Sequence, residues 1–227
     1  MAIRRGTLYE FTAIPGVSGY LVLTNDQWNA MNTRDVNGAL VYQQPGSGRI
    51  RIADNAFAGE LAALPKAQLT QAVAQMGTAA LLPIEEGVCD LLGLRELHAE
   101  PPRQPASVPG AIDYPLWSQI YYAGPPEGES PENKRRIVVS VDGYNKVMRG
   151  AVCVRTTTSD RRNGPGFPSL SDGTTKAVCI VPHFFDSRFI RFQLRDRRPV
   201  PSHLFLADMA LVAEGLIDAL DLHHLVV

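Results

Sequence analysis

Short apolar runs alternate with polar or Gly- and Pro-rich segments along most of the chain. Runs such as LVLT at 21–24 and IVVS at 137–140 are rich in Val, Ile and Leu, and Gly, Asn, Asp or Pro stand at their ends. This composition and run length predict buried strands rather than helices. GTLYEF at 6–11 and SQIYYAG at 118–124 are expected to be first strands. Many short strands joined by long turns predict a mainly β fold with some α-helix (α+β), arranged as small barrels.

Helical spacing is clearest near the C-terminal end. Residues 202–221 follow Pro201, and Ser202 can cap a helix that begins there. Apolar residues then recur at helical spacing at Leu204, Ala207, Leu211, Leu216 and Leu220. The pattern predicts a C-terminal amphipathic helix. A weaker helix is predicted at 65–76, beginning at Pro65, and a further helical turn at 85–97.

One segment differs from the rest in composition. Residues 98–113, HAEPPRQPASVPGAID, contain four prolines and almost no large apolar side chain. Such a composition is typical of a linker. It divides the chain into residues 1–97 and 114–227, each of a size that suits one small domain.

The two halves resemble each other. LVLTNDQWN at 21–29 aligns without a gap with IVVSVDGYN at 137–145, so that Val22, Asp26 and Asn29 match Val138, Asp142 and Asn145. We also align GALVYQQ at 38–44 with GAVCVRT at 150–156, and GTAALLPI at 77–84 with GTTKAVCIVPH at 173–183. Three matched segments in one order predict an internal duplication.

Composition and charge narrow the class of protein. The net charge is −1, so nucleic-acid binding would have to depend on a local basic patch. Three cysteines give no disulfide framework, and we expect them to be buried thiols in a reducing compartment. No apolar stretch is long enough for a membrane span or a secretory signal, so a cytoplasmic protein without membrane contact is expected.

Familiar catalytic and ligand-binding motifs are absent from the sequence. It contains no P-loop, GxSxG, HExxH or paired CxxC pattern. His223 and His224 are adjacent but have no third candidate ligand close by in sequence. The sequence therefore predicts neither a metal site nor a cofactor.

Basic and hydroxyl side chains cluster in the second half. Lys134, Arg135 and Arg136 precede one predicted strand, and the next strand ends in Arg155, Thr156, Thr157 and Thr158. Guanidinium groups bind phosphate bidentately, and hydroxyl groups can donate to its oxygens. The alternative interpretation is a solvated charge run and a β-branched strand end. Arg161 and Arg162 follow in the loop RRNGPGFP, a further possible binding edge.

Over about residues 116–221, the chain resembles the MazF/PemK family of toxin endoribonucleases. The features that carry the resemblance follow in order. A strand leads to the polar loop PPEGESPENK, then KRRIVVSVDGYN, then AVCVRTTTSD, and a later apolar strand precedes the C-terminal helix. The resemblance implies an SH3-like β-barrel, present here as two tandem copies with accessory helices. It also implies metal-independent cleavage of single-stranded RNA by 2′-OH attack, and a cognate antitoxin protein as partner.

The resemblance also implies roles for individual residues. The family arginine falls nearest Lys134, with Arg135 beside it, and the family threonine falls nearest Thr157. Where many members have an acidic residue, this chain has Pro182-His183, and imidazole can serve as acid or base near neutral pH. The implied catalytic residues are Arg135, Thr157 and His183. The implied RNA-binding residues are Lys134, Arg136, Arg155, Thr156, Thr158, Arg161 and Arg162.

The first half departs further from the family pattern. No basic residue stands near Ser18, where the arginine would fall, and Gln43-Gln44 replaces the threonine cluster. We interpret residues 1–97 as a degenerate copy that pairs with the second half in an intramolecular pseudo-dimer. A non-catalytic, protein-binding toxin or interaction protein on the same fold, as in CcdB-type gyrase inhibitors, is the alternative function.

Overall fold

The computed structural model of the chain describes residues 2–31, 33–96, 114–123, 135–186, 190–191, 193–195, 198–200 and 202–226. The predicted linker at 98–113 and the polar loop that ends at Lys134 lie outside these residues. By their contacts the residues form two compact units. Unit 1 comprises Met1–Cys89, Ile180–His183 and Leu216–Val227, and unit 2 comprises Asp90–Cys179 and Phe184–Gly215.

The sheet of unit 1 is antiparallel. Its strands are β1 (Thr7–Glu10), β2 (Val17–Val22), β3 (Asp35–Tyr42), β4 (Ile50–Ala53), β5 (Ala56–Pro65) and β6 (Ala72–Gln75), in the order β4-β5-β3-β2-β1-β6. The short helix α1 (Asp26–Ala30) connects β2 to β3, and α2 (Thr78–Leu91) follows β6. This arrangement is a mixed α and β structure dominated by sheet.

Tyr20 lies at the centre of the unit 1 core. Its ring is fully buried, and its hydroxyl donates to the carbonyl oxygens of Val36 (2.9 Å) and Ala62 (2.7 Å). Gly38 on β3 permits this close packing, because a Cβ there would collide with the Leu21 carbonyl oxygen and with the Tyr20 ring. The core therefore depends on the large side chain of Tyr20, which ends in a polar hydroxyl, and on the absence of a side chain at Gly38.

The second sheet contains β7 (Gln119–Ala123), β8 (Arg135–Val138), β9 (Gly150–Thr157), β10 (Lys176–Asp186) and β11 (Ile190–Arg191), in the order β10-β9-β8-β7-β11. A separate hairpin pairs β12 (Gln193–Arg195) with β13 (Arg198–Val200), and β14 (Ser202–His203) pairs with β7. Helix α3 (Asp142–Met148) connects β8 to β9, and α4 (Leu206–Leu220) follows β14.

The two sheets share the pairing of their first three strands. In each, a first strand pairs with a second, and a short helix leads to a third strand that pairs with the second. The third strand then pairs with β10 in the second sheet, but with β5 rather than β4 in the first. The matched sequences at 21–29 and 137–145 fall on β2–α1 and on β8–α3, and those at 38–44 and 150–156 fall on β3 and β9. The third proposed match is wrong, since residues 77–84 enter helix α2 whereas 173–183 enter strand β10. The closure of each sheet into an SH3-like barrel stays a prediction.

Two predicted helices need correction. The helix at 65–76 is wrong: Lys66–Gln68 form a single 3-10 turn, and Ala72–Gln75 form β6, which pairs with β1. All four β6 residues are exposed, so the segment offers no apolar face for a helix to bury. Helix α2 instead begins at Thr78 and includes Pro83, and it covers much of the turn predicted at 85–97.

The C-terminal helix is confirmed, but it starts later than predicted. Residues Ser202–His203 pair with β7, and α4 extends from Leu206 to Leu220. Among the residues that the structure describes, no helix has the length and apolar character that a membrane span requires.

Candidate functional site

The predicted basic and threonine residues meet where β8 begins and β9 ends. In the antiparallel register Arg136 stands opposite Arg155, and Ile137 opposite Val154. Because side chains alternate between the two faces of a sheet, Arg136, Arg155 and Thr157 share one face. Arg135 and Thr156 belong to the other face. The structure thus combines Thr157 with Arg136 rather than with Arg135.

Arg136 is held partly inside the sheet. Its guanidinium lies 5.5 Å from the centre of the Phe185 ring, at a distance suited to a cation–π contact. Burial lowers the pKa of the Arg136 guanidinium, and the positive charge of Arg155 lowers it further. Like charges directly opposite each other on neighbouring strands are unfavourable. An anion beside both guanidinium groups would relieve that repulsion, so this face is suited to phosphate.

The hydroxyl of Thr157, at the end of β9, accepts one hydrogen bond and can donate another. Its Oγ1 accepts a hydrogen bond from the Ser159 backbone N–H at 3.2 Å, which fixes the oxygen position. A hydroxyl that accepts in this way can still donate its own proton. Thr156 is half-buried and Thr158 is exposed. The Thr157 hydroxyl, which shares a sheet face with Arg136 and Arg155, is therefore oriented by this local hydrogen bond from Ser159.

The loop that carries Arg161 and Arg162 is tied to the unit rather than left open. Lys176 Nζ donates to the Arg162 carbonyl oxygen (3.0 Å) and to Asn163 Oδ1 (2.7 Å). The Arg162 guanidinium lies 5.9 Å from the ring centre of Phe167, which is buried. Arg161 is exposed at the same turn. Of the two predicted RNA contacts, Arg161 is the more accessible.

His183 has a different environment. Its Nδ1 accepts a hydrogen bond from the Ala63 backbone N–H on β5 at 3.4 Å, which places the proton of a neutral imidazole on Nε2. By its contacts His183 belongs to unit 1, while Thr157 belongs to unit 2. Lys134 lies outside the described residues, and the catalytic roles of Arg135, Thr157 and His183 stay predictions.

Sequence reasoning missed the aromatic support of this site. Phe185 packs against the core formed by Tyr121, Val138, Ala151 and Cys153, and it carries the Arg136 guanidinium on its ring. The sequence did hold one signal for this face of the sheet. Ala151, Cys153, Arg155 and Thr157 follow one another at a spacing of two, which places two core residues and two polar residues on the same face of β9.

Comparison with known proteins gives matches only among solved structures. No protein-family model matches the chain, and no curated protein matches it. One similar structure is an endoribonuclease in complex with its cognate antitoxin from a mycobacterial species: it is 21% identical, its TM-score is 0.39, and the match covers 47% of this chain and 95% of that chain. Another is an endoribonuclease from a mycobacterial species, with 19% identity and a TM-score of 0.38, and here the match covers 48% of this chain and 94% of that chain.

Proposed function

We propose that this protein is a toxin of the toxin–antitoxin type that cleaves single-stranded RNA. The observation that carries the proposal is the pair of opposed guanidinium groups, Arg136 and Arg155, on the face that also carries Thr157. Two fixed positive charges beside a hydroxyl donor suit the phosphodiester group of RNA. The sequence resemblance to MazF/PemK toxins supports the same class of activity.

The proposed reaction needs no metal. The 2′-oxygen of the ribose attacks the adjacent phosphorus as its proton leaves, and the bond from phosphorus to the 5′-oxygen of the next nucleotide breaks. The 5′-oxygen takes up a proton, so that the products are a 2′,3′-cyclic phosphate and a 5′-hydroxyl. Arg136 and Arg155 would stabilise the negative charge that grows on the phosphorane, and the Thr157 hydroxyl would donate to one of its oxygens.

Other parts of the predicted site have supporting roles in this proposal. Lys134, Arg135, Arg161 and Arg162 would hold the RNA backbone on either side of the scissile phosphate. His183 would transfer a proton only if the imidazole leaves Ala63, and a His183→Gln variant tests this separately. If His183 has no catalytic role, His183→Gln retains the cleavage rate of the wild type.

The direct test is RNA cleavage in the presence of EDTA. Wild-type protein is incubated with long unstructured RNAs of varied sequence, beside Thr157→Val and Arg136→Gln. Removal of one group that stabilises the transition state lowers the rate by about a hundredfold or more. Lys146→Ala is the matched control, since Lys146 is an exposed basic residue on α3 and should leave cleavage unchanged. If wild type cuts none of the RNAs, or if Thr157→Val cuts as fast as wild type, the nuclease proposal is wrong and the non-catalytic alternative gains.

The partners in this proposal are RNA and a cognate antitoxin. An antitoxin that blocks this site would present an acidic segment to Arg136 and Arg155, in competition with RNA phosphate. The division into residues 1–97 and 114–227, the tandem barrels and the pairing of both halves within one chain belong to the same proposal. A monomeric mass in solution, together with full cleavage activity, would support pairing within the chain.

A further inference from the structure

Strand β6 forms one edge of the unit 1 sheet and buries none of its residues. The strand order ends at β6, so among the residues that the structure describes no strand pairs with its outer side. Ala72, Val73, Ala74 and Gln75 are all exposed, Val73 to 61%. A strand at a sheet edge presents backbone N–H and C=O groups that can pair with another chain. Strand β6 is therefore open to one more strand.

Two features that commonly protect a sheet edge are missing from β6. Edge strands of natural proteins are usually protected by a charged side chain, a proline or a bulge. No charged residue stands between Lys66 and Glu85, and β6 contains no proline. The strand at the opposite edge of the same sheet, β4, carries Arg51, which forms an exposed ion pair with Asp54. The two edges of the unit 1 sheet are thus protected unequally.

The third protective feature, a bulge, is present in β6 and leaves one residue for outward pairing. Leu8 stands opposite Ala74 and Tyr9 stands opposite Ala72, so Val73 has no opposite residue on β1. The extra residue of a bulge stays outside the ladder of paired residues. The backbone groups of Val73 can therefore bond to a strand that approaches the outer side of β6.

The sequence of this edge reads the same in both directions. Residues 71–75 are QAVAQ, centred on Val73. If two copies of the chain pair antiparallel about Val73, Ala72 faces Ala74 and Gln71 faces Gln75 on both sides of the centre. An interface in which residue i contacts j and j contacts i has the two-fold symmetry of an isologous dimer. The alanines are small enough to let the two strands approach closely. The edge is therefore complementary to itself.

The side chain of Gln75 is held in place and retains one donor for this pairing. Its Oε1 accepts from the Thr7 hydroxyl at 2.7 Å, and its Nε2 donates to the Arg5 carbonyl oxygen at 2.7 Å. An amide nitrogen has two N–H donors, so one remains. In the antiparallel pair this N–H would donate to the side-chain oxygen of Gln71 in the second copy.

The charges near the two ends of β1 also suit a second copy. Exposed Arg4 precedes β1 near the end where Thr7 stands opposite Gln75. At the other end the backbone N–H of Glu10, also exposed, donates to the Gln71 carbonyl oxygen at 3.0 Å. Antiparallel pairing places Glu10 of each copy at the end of the joined sheet where the other copy has Arg4. Opposite charges at both ends favour this orientation over a parallel one.

We propose that the protein forms a homodimer through β6, in which two copies pair antiparallel about Val73 and join their unit 1 sheets. The contact is short, so the dimer is weak and its population depends on protein concentration. The inference goes beyond the proposed function, because β6 lies outside the sheet that carries Arg136, Arg155 and Thr157.

The test is sedimentation velocity of the full chain at concentrations from about 1 µM to about 1 mM, which covers weak contacts. Wild type should shift from monomer to dimer over this range. Val73→Lys brings two like charges together at the two-fold axis and should raise the dissociation constant at least about tenfold, as should Val73→Glu. An equimolar mixture of these two variants should dimerise again, because the charges are then opposite. Val147→Lys is the matched control, since Val147 is a valine on α3 that is 66% exposed, and it should dimerise as wild type does.

Three results would overturn the proposal: a monomer at every concentration, a dissociation constant that Val73→Lys leaves unchanged, or a mixture of the two charge variants that stays monomeric. A monomer would mean that β6 pairs with a different protein or with none. Val73→Lys should cleave RNA as wild type does, so failure of the dimer and failure of the nuclease are separate results. The same monomeric variant then serves to test the pairing of both halves within one chain.

Discussion

Arg136 and Arg155 stand directly opposite each other on neighbouring strands, on the sheet face that also carries Thr157. Two like charges in this position oppose folding slightly and attract an anion strongly. A site of this kind is expected to trade some stability for phosphate binding.

Arg136→Gln should reveal that trade. Loss of one phosphate contact should weaken RNA binding and reduce the slope of log affinity against log salt by about 1. The free energy of unfolding should change by less than about 1 kcal/mol, because relief of the repulsion offsets the lost contact with Phe185. Fluorescence anisotropy of a labelled RNA at several salt concentrations measures the slope. Lys146→Gln is the control, and an unchanged slope in Arg136→Gln would contradict the assignment.

Tyr20→Phe should destabilise unit 1. The substitution leaves the carbonyl oxygens of Val36 and Ala62 without the hydroxyl that donates to both, at a cost of about 1–3 kcal/mol. Tyr42→Phe is a matched control: the Tyr42 hydroxyl donates to Glu60 at 2.5 Å, but the residue is half-buried, so water can replace the contact. Urea denaturation of both variants should rank the losses in this order, and equal losses would refute the central role of Tyr20.

Asp172 should make stability depend on pH in the acid range. Hydrogen bonds from Thr175, and then from Thr174, lower the pKa of the Asp172 carboxyl. A carboxyl whose pKa is lower in the folded state stabilises the fold above its unfolded pKa of about 3.9, and this contribution is lost as pH falls through the folded pKa.

Asp172→Asn should therefore be less stable than wild type at pH 7 by under about 1 kcal/mol, since the group is exposed. The difference should narrow as the pH falls below about 4. Urea denaturation at pH 7 and at acid pH measures it. A difference that stays constant over this range would show that the charge of Asp172 contributes nothing.

Cys153 should resist thiol reagents in the folded protein. The residue is buried, and burial raises the pKa of its thiol to about 12, so almost no thiolate exists at pH 8. Cys89 and Cys179 are buried as well. We expect no labelling by iodoacetamide without denaturant and three labels after unfolding, counted by mass spectrometry. A Lys146→Cys variant should gain one label while folded. Labelling of the folded wild type would show that at least one of the three cysteines is not buried as described.

Local sequence pattern predicted the elements that bury their own apolar residues. The apolar runs that open the matched segments 21–29 and 137–145 predict strands, and they overlap β2 and β8. The short helices α1 and α3 that follow them are not predicted by the pattern. Between residues 65 and 84 the pattern predicted the wrong type of element, a helix at 65–76 and a strand at 77–84. Residues 72–75 form a strand because β1 offers an edge to pair with, and 78–91 form a helix because Ala and Leu favour it despite Pro83.

The candidate site was predictable in composition but not in geometry. The neighbouring positions of the basic triplet and the threonine cluster follow from two adjacent strands. Which arginine shares a face with Thr157 depends on the β8–β9 register, which a single sequence does not specify. The contact between His183 and Ala63 joins residues 120 positions apart, and no local pattern encodes such a pair.

Unit 1 is built from segments that are far apart in the sequence, and this affects how the chain would respond to cleavage of one peptide bond. Residues near the C-terminal end complete this unit: the Trp28 indole N–H donates to Asp218 at 3.0 Å, the Asn25 backbone N–H to the Ala219 carbonyl oxygen at 3.0 Å, and His224 contacts the buried Glu85 at 3.0 Å. Proteolysis between residues 98 and 113 would therefore yield two peptides that remain associated until they are denatured. Neither peptide expressed by itself would contain all of unit 1, so mixing the two should restore a fold that each lacks alone.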